Sequence, residues 1–156
     1  MLPVVETVSA YLGDVAVAIV VGKVLLLSFI VAPVLASVLP AEYFGPVVRA
    51  LFPKYYGLGM MAAALGITSI AALWVVTGID GNHLLPLGLW AAIFSVEWYC
   101  RTPLTPNLNA LRDRLKAQES QGPVDRELTS KWEHLHHRSV QLNGAVLLFG
   151  LCLVGL

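Results

Sequence analysis

A chain of 156 residues with 57% hydrophobic and only 13% charged residues has too little polar surface for a soluble single-core domain. Ten Lys and Arg balance ten Asp and Glu, so there is no global basic field to hold nucleic acid. With a mean hydropathy of +0.73, the composition points to an integral membrane protein whose first partner is the lipid bilayer.

The expected fold is all-α: an integral membrane four-helix bundle with short cytoplasmic amphipathic helices, forming a single membrane domain over residues 1–156. A helix needs ~20 apolar residues to cross ~30 Å of hydrocarbon. No cleavable signal is expected, because the first twenty residues carry Glu6 and Asp14 and no Lys or Arg. The first span covers roughly 8–38, long enough to tilt or project, and contains Lys23 and Pro33. PAEYFGPVVRALFPKYY then predicts a short interfacial helix interrupted by prolines, with Tyr43, Phe44, Phe52, Tyr55 and Tyr56 at headgroup level.

The second span, roughly 55–76, is rich in small residues. Gly59, Ala63, Gly66 and Ser69 suit close helix packing. The third span runs over about 84–100 and carries Glu97 near its end. In the connection 101–138, Thr105 can cap a helix with Pro106 at its first position. Leu108, Leu111 and Leu115 mark its apolar face. Gly122 and Pro123 break it, and Asp125 can cap the next helix. Leu128, Trp132 and Leu135 carry one face of that helix into the fourth span, roughly 139–156.

Of the ten basic residues, nine lie outside the spans, all in the connections 39–54 and 101–138. Those connections share a side, which the positive-inside rule makes cytoplasmic, with both termini outside. A bacterial inner (plasma) membrane is the expected location. Cys100 and Cys152 follow no metal-ligand spacing and lie at opposite ends of the bilayer, too far apart for a disulfide.

Lys23 is the anomaly. A lone charge near the bilayer centre costs at least ~2.5–3.5 kcal/mol on insertion scales, so it should find an internal partner. The alternative is a side chain that reaches back to an interface. At about 1.5 Å per residue, Lys23 counted from Ser9, Glu97 from Leu84 and Asn143 from Leu156 each lie ~20 Å deep. His136, Ser139 and Asn143 recur at i, i+3, i+7 on one helix face. The expectation is an intramembrane polar seam of Lys23, Glu97, His136, Ser139 and Asn143.

Glu133, His134, His136 and His137 are the metal-ligand candidates, with the Glu-x-x-His spacing of di-iron bundles at Glu133 and His136. The second such pair and the extra carboxylates those sites need are missing, so no metal, haem or other cofactor is expected. His134 and His137 fit a hydrated, headgroup-facing turn.

LPAEYFGPVVRALFPKYYGLG, EWYCRTPLTPNLNALRD and HHRSVQLNGAVLLFGLCLVGL resemble segments of the transmembrane protein 205-like family. The resemblance runs over most of the chain from Gly22 onward. It rests on Phe52, Pro53, Tyr55, His136, Ser139 and Asn143, and implies a small four-span membrane protein with a domain of unknown function.

No nucleophile with a base, phosphate loop or cofactor fingerprint is present, so an enzyme is not expected. The leading reading is an accessory or scaffold subunit, with other membrane subunits or further copies of itself as partners. One alternative is a transporter or permeation protein using the seam. A third is a membrane haem or metal redox protein using the histidines.

Overall fold

The computed structural model describes residues 2–79, 81–120 and 122–156. Within them the chain is an all-α integral membrane four-helix bundle with no strand. Three helices, Leu2–Val38, Ala41–Thr77 and Arg126–Val154, are long and apolar enough to cross a bilayer.

Helix α1 (Leu2–Leu26) passes through a π turn, Leu27–Val31, into α2 (Ala32–Val38). The Ala32 amide donates to the Leu27 carbonyl, five residues back. Pro33 accounts for the wider turn, since its ring would collide with the carbonyl four residues earlier in a regular α-helix. Pro40 ends α2 by forcing Leu39 into an extended conformation.

Helix α3 (Ala41–Thr77) corrects the expectation of a separate interfacial helix: its 37 residues run unbroken, with Pro46 and Pro53 inside. Each proline removes one backbone hydrogen bond. Packing holds the turns around them. Phe52 sits 5.6 Å from the Tyr56 ring, and Gly45 lies against the Arg112 guanidinium. At about 1.5 Å per residue α3 is ~55 Å long, so its amino-terminal part projects beyond ~30 Å of hydrocarbon. It stops at Gly78, whose φ of 84° favours glycine.

Helix α4 (Leu84–Tyr99) is too short to span alone, but a second π turn, Cys100–Leu104, carries it directly into α5 (Thr105–Glu119). Thr105 therefore does not cap a new helix. Its hydroxyl donates back to the Cys100 carbonyl at 2.7 Å, inside continuous helix around Pro103. The amphipathic α5 docks on the projecting part of α3 through Arg49, which reaches Asp113 Oδ1 at 2.5 Å and the Asn109 carbonyl at 3.3 Å. Asp125 does cap α6 (Arg126–Val154), accepting from the Glu127 amide at 2.9 Å.

The bundle closes on the small face of α3, where Gly59, Ala62, Ala63, Gly66, Ser69 and Ile70 are buried. Phe29 and Val75, at 70% and 88% exposed, belong to the outer apolar surface, which suits hydrocarbon. Trp90 of α4 fills the notch at Gly66, where an added Cβ would lie 2.6 Å from Nε1 and closer still to the ring carbons. Gly66→Ala should cost roughly 1–3 kcal/mol by overpacking. Unfolding of the detergent-solubilised protein should show the loss, and Trp90→Leu in the same chain should recover part of it.

Candidate functional site

All four membrane helices contribute polar side chains to one interior cluster. Lys23 lies on the buried face of α1 with Ala16, Val20 and Val24, and that burial separates its ammonium from water. On α4, Glu97 shares the inward face with Trp90 and Ile93. Lys23 Nζ donates to Glu97 Oε1 at 2.6 Å, with the two side chains only 4% and 1% exposed. The second carboxylate oxygen, Oε2, is buried without a hydrogen-bond partner.

Helix α3 shapes the pair from two directions. The Tyr55 ring covers the ammonium, with Lys23 Nζ 3.8 Å from the ring centroid, a desolvated cation–π contact. Gly59, one turn later, provides space for the carboxylate: a Cβ there would lie 2.6 Å from both Oε1 and Oε2. A glycine is required at this close approach because any other side chain would occupy the position of the charge.

Helix α6 joins through the tyrosine hydroxyls. Tyr55 donates to Asn143 Oδ1 at 2.9 Å. Asn143 Nδ2 donates to the Tyr56 hydroxyl at 3.3 Å and to the Ser139 carbonyl at 2.9 Å. The Tyr56 and Ser139 hydroxyls are 3.2 Å apart. The tyrosine, serine and asparagine side chains thereby match one another across α3 and α6, as buried polar groups within hydrocarbon require.

The structure brings Lys23 to Glu97, and Ser139 to Asn143, and links the two sets through the tyrosines. His136 is a correction to the expected seam. It is exposed and stacks on Trp132, with ring centroids 5.1 Å apart and planes at 4°. The residue shares a helical face with Ser139, but its ring stacks on Trp132 of its own helix, and at this level it is the neighbouring Leu135 that packs against the core. Partial desolvation, with His137 beside it, holds its imidazole below the usual pKa. Glu133, His134 and His137 are exposed, and among the described residues no three His, Cys, Asp or Glu side chains gather as a metal site. Cys100 is buried and Cys152 exposed, both as free thiols.

Sequence reasoning missed Tyr55, Tyr56 and Gly59 as parts of this cluster. The two tyrosines read as headgroup aromatics and Gly59 as a packing residue. The available signal was spacing, because Tyr56, Gly59, Ala63 and Gly66 recur every three or four residues along one face of α3. Phe52 of the same segment supports the cluster from the preceding turn, lying edge-on to Tyr55 with centroids 6.0 Å apart, and Pro53 lies inside α3 beside it.

Residues 15–114 match the family described as Domain of unknown function (DUF4149). The matched region includes Lys23, Tyr55, Tyr56, Gly59 and Glu97, and leaves out Ser139 and Asn143. No curated protein and no solved structure matches the chain. Because the match extends over more than half of the chain, the chain belongs to the DUF4149 family.

Proposed function

We propose that this protein is a small helix-bundle accessory or scaffold subunit of a membrane assembly, one of the transmembrane protein 205-like proteins. The observation that supports this reading is the closure of the ion pair. Lys23 and Glu97 neutralise each other within the chain, Tyr55 covers one side, and Gly59 is in contact on the other. A buried pair of this kind fixes helix register while leaving the outer surface free for lipid and partner subunits. In a mild-detergent purification, other membrane subunits should accompany the chain in fixed stoichiometry, and Lys23→Met/Glu97→Gln should retain them. Cation or proton flux in liposomes holding the lone chain, abolished by Glu97→Gln, would overturn the reading. It would instead establish the permeation alternative, which the partnerless Glu97 Oε2 favours.

The proposal includes an orientation in a bacterial plasma membrane, based on basic residues: Arg49, Lys54, Arg101 and the α5 and α6 cations at the cytoplasmic end, both termini outside. A cysteine placed at Gln118 in a Cys152→Ser background should react with a membrane-impermeant maleimide in inverted vesicles. Reaction in intact cells would reverse the topology.

A further inference from the structure

On an exposed face of α6, His134, His137, Arg138 and Gln141 line a concavity of about 280 Å³. Their spacing of i, i+3, i+4 and i+7 places them on one face of the helix, and all four are exposed. The Arg138 guanidinium lies over the Tyr99 ring at 5.0 Å, which limits where this long side chain can go. Among the described residues, the ion pairs are Lys23–Glu97, Arg49–Asp113 and Lys131–Glu127, so no carboxylate neutralises Arg138.

The same face continues into the apolar run through Gly144 and Leu148. A Cβ added at Gly144 would touch nothing within 4 Å, and Leu148 is 63% exposed. A cationic, donor-rich hollow thus stands at the polar end of an open apolar stripe on a single helix. A phospholipid has the complementary shape and charge order, an anionic head above a hydrocarbon chain.

We propose that this hollow binds the phosphate headgroup of an anionic phospholipid, with an acyl chain along Gly144 and Leu148. Arg138 supplies a guanidinium fork to two phosphate oxygens. The imidazole N–H groups and the Gln141 amide donate to the remaining headgroup oxygens. This site rests on the bilayer placement and is independent of an accessory role.

The test is native mass spectrometry of the full chain released from mixed micelles containing phosphatidylglycerol and phosphatidylcholine. Phosphatidylglycerol should be retained about tenfold better than phosphatidylcholine, on the scale of a charge-assisted hydrogen bond. Arg138→Gln should remove most of that preference. The paired variant His134→Ala/His137→Ala should weaken retention several-fold while its unfolding stays that of the parent, since both imidazoles are exposed. Arg126→Gln, an exposed cation outside the hollow, should change nothing. Equal retention by the histidine variant and the parent, or an equal loss in Arg126→Gln, would overturn the site. Displacement of the lipid by excess inorganic phosphate would also overturn it, by assigning the hollow to a free anion. A folded protein that retains no anionic lipid would sink this proposal and leave the accessory reading standing.

Discussion

Glu97→Gln and Lys23→Met should each lower stability by ~3–5 kcal/mol, and the double variant by clearly less than the sum. Either single change leaves the other group buried without its countercharge, at a depth where a lone charge is expensive. Each side chain is almost wholly inaccessible, so neither can recover its hydration by a small rotation. Removing both charges together eliminates the stranded group and leaves two side chains of similar volume. The Tyr55 ring moderates the Glu97→Gln loss, since its face still receives the ammonium at 3.8 Å. Lys23→Met has no such mitigation, because a carboxylate gains nothing from a ring face, so it should be the more harmful single change. A double-mutant cycle read by unfolding in detergent measures the coupling directly. Additive losses would mean that the 2.6 Å contact contributes no stability.

The second large effect is expected at Gly59. In an ordinary helix Gly→Ala gains up to ~1 kcal/mol of helix propensity. Here the new Cβ would lie 2.6 Å from both carboxylate oxygens of Glu97. The end of a flexible side chain can usually swing aside at little cost. This one cannot do so freely, because movement breaks the Lys23 contact and strands two charges. Gly59→Ala should therefore destabilise by roughly 1–3 kcal/mol in spite of its favourable propensity. In the Lys23→Met/Glu97→Gln background the same substitution should cost much less. Gly66→Ala is the control, as it lies two turns away, about 10 Å along α3, and meets Trp90 rather than charge. Its penalty should be the same with or without the ion pair. A Gly59→Ala penalty unchanged by the charge-free background would reduce the notch to simple packing.

The amino-acid sequence by itself determined the all-α class, the apolar runs and the clustering of basic residues, because hydrophobic length and charge placement are local and additive along the chain. Asp125 was legible as a cap for the same reason, since its partner is the Glu127 amide two residues on. Depth counting along single helices also put Lys23, Glu97 and Asn143 at one level. Only the tertiary structure decided what happened between the helices. Pro46 and Pro53 looked like breaks, yet α3 runs through both because Phe52, Tyr55, Tyr56 and Gly45 are held by packing that propensity does not record. Thr105 looked like a cap, but a π turn around Pro103 keeps the helix continuous and engages its hydroxyl with Cys100. His136 shares the helical phase of Ser139 and still lies outside the seam, because phase gives only a rough direction and its ring stacks on Trp132 instead of reaching the Tyr56–Ser139 contact. The roles of Tyr55 as cover and Gly59 as notch depend on side chains 30 or more residues away in sequence, brought close only when α1, α3 and α4 pack.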